Sequence, residues 1–220
     1  LLLLAGCSSQ PSQQPSPAAQ NQSPPPAPAA APVDSRPVIV AYGDSLSAGY
    51  GVPAGKSYPD FLQKTLDEAG YRYRVVNAGI SGDTTSGGLS RLNAILALKP
   101  QIAILELGGN DGLRGLPVKS SRSNLEKIIT GLQGAGVTVV LAGMTLPPNY
   151  GPEYIQSFEK MYVDLAKQYN VTLIPFLLDG IATDSALMQP DGIHPNAEGH
   201  RRMAQLVMKY LEPLLKKQTA

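Results

Sequence analysis

Three residue types that often carry protein chemistry are scarce in this chain. Its 220 residues include one cysteine, two histidines and no tryptophan. These residues are too few for a zinc site with four Cys/His ligands, a disulfide framework or a cysteine-ligated iron–sulfur cluster. We therefore expect no metal and no cofactor. Any chemistry has to come from serine, carboxylates, amides, lysine or the two histidines.

An excess of charge of either sign is also lacking. The chain has 18 Lys and Arg against 17 Asp and Glu, which leaves a formal net charge of +1. A nearly neutral chain creates no global field that attracts a polyanion, so nucleic acid is not expected as a partner. The hydrophobic content of 43% is sufficient for the core of one domain of ordinary size.

The N-terminal part of the chain differs in composition from the rest. Its first residues are four leucines, Ala5 and Gly6, an apolar run too short to cross a bilayer, and the single cysteine, Cys7, follows. Residues 8–33 contain no charge and consist almost entirely of Pro, Ala, Gln and Ser. Such a segment cannot bury enough apolar surface to offset the entropy of ordering. We predict a disordered linker over residues 8–36 and a folded domain over residues 37–215.

The run that ends at Cys7 resembles the end of a bacterial lipoprotein signal peptide. The resemblance implies that residues 1–7 hold the end of the signal peptide and the lipidation site, with cleavage before Cys7. The mature protein would then be anchored by lipid to a membrane of the bacterial cell envelope. Ser8, directly after the cysteine, favours the outer membrane by the same analogy.

Short apolar runs alternate with helical patterns from Pro37 onward, which is typical of βα units and a parallel sheet. The predicted strands are residues 38–42, 73–77, 102–107, 137–144 and 171–174. The predicted helices are residues 58–69, a segment through 89–96, and residues 123–132, 154–169 and 197–211. The alternation predicts an α/β domain, a three-layer α/β/α sandwich around a five-stranded parallel sheet of flavodoxin-like type.

Polar residues follow the predicted strands at the edge where such sheets bind ligands. The four segments are Gly43-Asp44-Ser45-Leu46, Gly79, Gly109-Asn110-Asp111 and, before the last helix, Asp191-Gly192-Ile193-His194-Pro195. A serine becomes a strong nucleophile when a histidine takes its proton and a carboxylate orients the histidine. Ser45, His194 and Asp191 are the residues of these types. An oxyanion could be stabilised by the backbone N–H of Gly79 and the side-chain amide of Asn110.

The four segments, in this order, resemble those of the GDSL or SGNH hydrolase family. Residues 78–84, 107–115 and 147–151 resemble more closely its bacterial arylesterase, acyl thioesterase I and lysophospholipase L1 branch. The resemblance implies Ser45 as nucleophile, His194 as base and acid, and Asp191 as the residue that orients His194. It also implies an oxyanion hole formed by the Ser45 N–H, the Gly79 N–H and the Asn110 side chain.

The loops near the predicted site are apolar, with Leu113, Pro147 and Tyr150 as the candidate substrate-binding residues. Such a lining suits an acyl chain better than a sugar. We therefore expect a serine esterase for short-to-medium acyl or aryl esters, with acyl thioesters and lysophospholipids as further substrates. A carbohydrate O-deacetylase and a non-catalytic surface binding module are the alternatives, since the fold alone does not choose the function.

Other polar residues receive structural interpretations. We expect Asp44 to be a hydrogen-bonding turn residue. Asp83 or Thr84 is expected to cap the helix that follows, so Asp83 is interpreted as a cap rather than a metal ligand. Asp111 is expected to brace the loop that presents Asn110. His200 stands among charged neighbours on the last predicted helix and is expected to lie at the solvated surface.

Overall fold

Five parallel strands form one sheet in the order β2-β1-β3-β4-β5. The structure is a computed structural model that describes residues 34–217, so the predicted lipidation site and residues 8–33 of the predicted linker lie outside the described part. The strands are β1 Val38–Gly43, β2 Arg74–Asn77, β3 Pro100–Glu106, β4 Thr138–Ala142 and β5 Thr172–Ile174. This is the flavodoxin-like order, in which the carboxyl ends of β1 and β3 flank the point where ligands bind.

Within residues 34–217, eight α-helices connect and follow the strands. They are α1 Ser45–Ala48, α2 Tyr58–Glu68, α3 Thr85–Ser90, α4 Leu92–Ala97, α5 Gly109–Leu113, α6 Val118–Gly134, α7 Pro152–Tyr169 and α8 Ala197–Leu211. Helix α2 packs against α8, while α6 packs between α3 and α7, so that the two groups cover the two faces of the sheet. The predicted α/β fold with a five-stranded parallel sheet is confirmed. In residues 34–217, no helix has the length and apolar character of a membrane span.

Burial and capping explain why these segments form the observed elements. All six residues of β1 are buried, as expected for a central parallel strand with helices on both of its faces. Helix α2 begins with a capping box: the Ser57 side chain accepts the backbone N–H of Asp60, and the Asp60 side chain accepts the backbone N–H of Ser57. Asn196 caps α8 by accepting the N–H groups of Glu198 and Gly199, which ends the preceding loop at a fixed position.

The predicted helix through residues 89–96 is wrong, because the structure divides it at Arg91 into α3 and α4. The Arg91 guanidinium turns inward and donates to the backbone oxygens of Ala78 and Gly43. It also pairs with Asp83 at 2.8 Å. Of the two predicted cap candidates, Asp83 is therefore wrong and Thr84 is confirmed, since Thr84 caps α3 by accepting the N–H of Gly87.

The surface position predicted for His200 is wrong as well, since the residue is only 1% exposed. Its Nδ1 accepts the backbone N–H of Tyr58, the first residue of α2, at 3.2 Å. Burial disfavours the charged imidazolium and lowers the pKa of His200 to about 4. His200 thus joins α8 to α2 as a neutral ring inside the domain.

Candidate active site

Three side chains from distant parts of the chain meet at the carboxyl end of β1. Ser45 is the first residue of α1, and its Oγ lies 2.9 Å from His194 Nε2. The other ring nitrogen, Nδ1, lies 2.7 Å from Asp191 Oδ2. The structure therefore brings together Ser45, His194 and Asp191 in one hydrogen-bonded series.

The Asp191 carboxylate is held by its own loop. Its Oδ1 accepts the backbone N–H groups of Ile193 at 2.9 Å and of His194 at 3.0 Å. Partial burial opposes ionisation, but these bonds and the bond to the imidazole outweigh it and lower the pKa of Asp191 to about 2. Asp191 is thus charged at neutral pH and accepts the Nδ1 proton, which leaves Nε2 free to accept the hydroxyl proton of Ser45.

Two residues that the sequence analysis missed hold the histidine loop in place. The Gln189 N–H donates to the carbonyl of His194, and its Nε2 donates to the carbonyls of Tyr50 and Pro195, each at 2.8 Å. The Tyr50 ring packs against the imidazole with 4.7 Å between the ring centroids. The position of Tyr50 in the segment after Ser45 is the only sequence signal for this contact.

The candidate oxyanion donors lie around Ser45, and two of them already have acceptors. The Gly79 N–H donates to Asn77 Oδ1 at 2.9 Å. The Asn110 Nδ2 donates to Asp44 Oδ2 at 2.9 Å and to the Asp83 carbonyl at 3.0 Å. The Ser45 N–H is at the start of α1, where backbone N–H groups have no intrahelical acceptor. A Cβ at residue 79 would lie 2.2 Å from the Ala48 nitrogen, so only glycine fits there.

Asp44 and Asp111 support this site as the sequence predicts. Asp44 Oδ1 accepts the Leu46 N–H and caps α1. Asp111 accepts both the N–H and the hydroxyl of Thr85 and also the hydroxyl of Ser121, which ties α5 to α3 and α6. Among the residues described, no group of three or more His, Cys, Asp or Glu side chains could hold a metal ion.

An apolar groove begins beside Ser45, formed by two adjoining cavities of about 210 Å³ and 370 Å³. Both cavities are lined by Gly109, Leu113, Met144 and Ile193, and the larger one extends along Leu146, Pro147, Pro148, Phe176 and Leu178. Of the predicted substrate-binding residues, Leu113 and Pro147 line this groove. Tyr150 does not line it, and instead its hydroxyl donates to the Leu113 carbonyl at 2.7 Å.

A charged aspartate, a histidine and a serine in series, next to an apolar groove, define a hydrolase with a serine nucleophile. Residues 41–202 match the model of the GDSL-like Lipase/Acylhydrolase family, and the chain belongs to this family. The predicted family is confirmed, and with it the class of carboxylic ester hydrolases.

Similar proteins carry esterase names. Esterase TesA of Pseudomonas aeruginosa is 45% identical over 178 residues, which are 80% of this chain and 89% of the relative. A relative in Escherichia coli K12 with the name thioesterase 1/protease 1/lysophospholipase L1 is 39% identical over 80% of this chain and 84% of its own. A similar solved structure is that of the psychrotrophic esterase EstA from Pseudoalteromonas, inhibited by monoethylphosphonate. It matches with a TM-score of 0.77 and 35% sequence identity, and the match covers 80% of this chain and 97% of the EstA chain.

Proposed function

We propose that the protein hydrolyses acyl esters through a Ser45–His194–Asp191 triad and an acyl-enzyme intermediate. The observation that carries the proposal is the continuous series from Ser45 Oγ to His194 Nε2 at 2.9 Å and from Nδ1 to Asp191 at 2.7 Å. Ser45 stands where this series meets the apolar groove, so a bound ester can present its carbonyl carbon to Oγ.

The steps follow from this geometry. Oγ attacks the carbonyl carbon while Nε2 takes the hydroxyl proton, and the negative charge of Asp191 stabilises the imidazolium that forms. The tetrahedral intermediate then expels the alcohol oxygen, which receives the proton from Nε2 and leaves an ester between the acyl group and Ser45. Water attacks this ester with His194 as the base, and the carboxylic acid departs as Oγ regains its proton.

The oxyanion hole in this proposal consists of the Ser45 N–H, the Gly79 N–H and the Asn110 side-chain amide. The Ser45 N–H is free of an intrahelical acceptor because of its place at the start of α1. When the oxyanion forms, the Gly79 N–H would leave Asn77 Oδ1 and donate to the oxyanion instead. The Asn110 amide would likewise leave the Asp83 carbonyl. A donor that exchanges a neutral acceptor for an anion forms the stronger bond as charge develops, so it favours the transition state over the ground state.

The groove supports an acyl chain as the part of the substrate that is recognised. Its lining is mostly aliphatic, and Leu113 and Pro147 lie along it. We propose short-to-medium acyl and aryl esters as substrates, with acyl thioesters and lysophospholipids as additional ones. The name of the Escherichia coli relative, which includes thioesterase and lysophospholipase, supports the additional substrates.

Activity across aryl esters of increasing acyl length tests the substrate proposal. Each methylene that enters the groove should add up to about 0.8 kcal/mol, so kcat/KM should rise roughly fourfold per carbon at most and then level off. Leu113→Ala should reduce this gain per carbon, because the side chain lines both cavities. Leu116→Ala changes a leucine three positions further along that is 37% exposed, and serves as the matched control. A highest rate on an acetylated sugar, with no gain from longer acyl chains, would instead identify a carbohydrate deacetylase.

We also propose that Cys7 carries a lipid that anchors the protein to the cell envelope, with the outer membrane as the favoured location. The apolar run before Cys7 and the uncharged segment after it support this proposal. In a complete precursor, Cys7→Ser should abolish lipidation and move the protein from the membrane fraction to the soluble fraction. Ser9→Ala is the matched control and should stay with the membrane. A wild-type protein that is soluble and cleaved elsewhere would contradict the proposal.

A further inference from the structure

A buried carboxyl group contacts the residues on either side of the nucleophile, Asp44 and Ser47, and has no part in the steps above. Glu106, the last residue of β3, is fully buried, and its Oε2 accepts the Asp44 N–H at 3.1 Å and the Ser47 hydroxyl at 2.8 Å. Its Oε1 is buried and has no hydrogen-bond partner among residues 34–217. A Cβ at Gly43 would lie 2.2 Å from Oε2, so this glycine leaves the space that the carboxyl group occupies.

The surroundings of Glu106 favour a neutral carboxylic acid. None of the ion pairs within residues 34–217 includes it, and the titratable groups that face it are Asp44, Tyr58 of α2 and Tyr162 of α7. A buried, unpaired carboxylate is costly, whereas the protonated form avoids that cost. Burial and the nearby charge of Asp44 raise the pKa of Glu106 well above its usual range.

Asp44 connects this acid to the reacting groups. Its Oδ1 accepts the Leu46 N–H at 3.1 Å and so holds the start of α1, where Ser45 lies. Its Oδ2 accepts the Asn110 amide at 2.9 Å. Burial raises the pKa of Asp44, while hydrogen bonds from Leu46 and Asn110 oppose this rise. One oxygen of Asp44 therefore holds the start of the helix that carries Ser45, and the other holds the Asn110 amide.

We propose that Glu106 is a positioning residue that acts as a neutral acid, fixing Asp44 so that Asp44 in turn fixes the Ser45 helix and the Asn110 amide. The inference rests on the proposed function, because it assigns a purpose to the placement of these two groups. An ionised Glu106 would put a second negative charge beside Asp44 and push the two carboxylates apart. A neutral Glu106 avoids this repulsion, and its Oε2 keeps Asp44 in place by accepting the Asp44 N–H.

Replacements of Glu106 by a neutral polar and a neutral apolar side chain test the proposal. Glu106→Gln keeps the shape, the neutrality and an acceptor for the Asp44 N–H, so kcat should stay within about threefold of wild type. Glu106→Leu removes all polar contacts of this side chain. A misplacement of catalytic groups by about 1 Å can lower the rate on the order of 100-fold. We therefore expect kcat to fall about 10- to 100-fold, with KM within about twofold of wild type. Glu106→Met provides a second apolar variant if the leucine variant does not fold. Ile102→Ala, on the same face at the other end of β3, is the control for core damage and should lower the melting temperature while kcat is unchanged.

Two readouts separate positioning from simple loss of stability. Values of kcat are expressed per active site titrated with a phosphonate ester, so that unfolded protein does not count. The side-chain amide resonance of Asn110, followed by NMR, should shift or broaden in Glu106→Leu and stay in place in Glu106→Gln. Equal kcat in the two variants, or a loss in Glu106→Gln well beyond about threefold, would overturn the proposal. If wild type itself hydrolyses no ester, the proposed function fails, and the NMR comparison still decides whether Glu106 positions Asn110.

Discussion

Ser45→Ala should reduce kcat/KM for an aryl ester by more than about 100-fold while the protein remains folded. The Ser45 hydroxyl lies 2.9 Å from His194 Nε2, and Ser45 lines the groove, so the hydroxyl can meet both the base and a bound ester. Among the described residues, its one further polar contact is a long one, at 3.4 Å from Asp44 Oδ1. Removing Oγ therefore takes away the nucleophile and little of the structure. The measurement is kcat/KM on purified protein whose circular dichroism and melting temperature match those of wild type.

Ser81→Ala is the matched control for this prediction. Ser81 is an exposed serine in the loop after β2, close in sequence to Gly79, and the proposed reaction does not use it. Its removal should leave kcat/KM within about twofold of wild type, as is usual for surface substitutions. Residual activity of folded Ser45→Ala above about one hundredth of wild type would show that another group attacks the ester.

His194→Ala should be as damaging as the loss of the nucleophile, on the order of 10⁴-fold or more in kcat, and Asp191→Ala should cost at least about tenfold less. The imidazole transfers the proton in both halves of the proposed reaction, whereas the carboxylate only orients and stabilises it. Without Asp191, the contacts of Gln189 and Tyr50 with the histidine loop would still hold the ring near Ser45. Acylation rates from single-turnover assays are the appropriate measurement, because they exclude product release.

Asp184→Ala is the matched control for the Asp191 variant. Asp184 is an exposed carboxylate in the same connection between β5 and α8, and its Oδ1 accepts the nearby Ala186 N–H. Its loss should leave the acylation rate nearly unchanged. Equal losses for His194→Ala and Asp191→Ala, or a larger loss for Asp191→Ala, would contradict the separate roles of the two residues.

The sequence allowed the strands to be predicted because apolar runs in a parallel sheet are buried on both faces. Helices were less predictable where one side chain changed the backbone. Arg91 divides a continuous apolar pattern because its guanidinium bonds to two carbonyls across the sheet edge, a contact that no local pattern contains. His200 is a different case. It is in the buried stripe with Met203, Ala204 and Val207, so helical periodicity indicates its burial and the charged neighbours are a misleading signal.

The site shows the same division. Ser45, His194 and Asp191 could be proposed from residue type and from their positions after strands, and the structure brings them together. The environment of Glu106 could not be proposed from the sequence, because it depends on the distance between β3 and the turn after β1. An acidic residue at the end of an apolar strand is the only hint in the sequence. Reactive residues at strand ends can thus be predicted from the sequence, whereas the contacts that orient them can be identified only from the folded structure.

Covalent labelling with a fluorophosphonate tests most directly whether Ser45 is an activated nucleophile. An activated serine attacks phosphorus and displaces fluoride from it while the histidine takes the hydroxyl proton, which leaves a stable phosphonyl ester on Oγ. Peptide mapping of the labelled wild-type protein should place one phosphonyl group on Ser45, with labelling absent in Ser45→Ala, strongly slowed in His194→Ala and unchanged in Ser81→Ala. Folded wild-type protein that does not label, or that labels equally in Ser45→Ala, would contradict the assignment of Ser45 as the nucleophile.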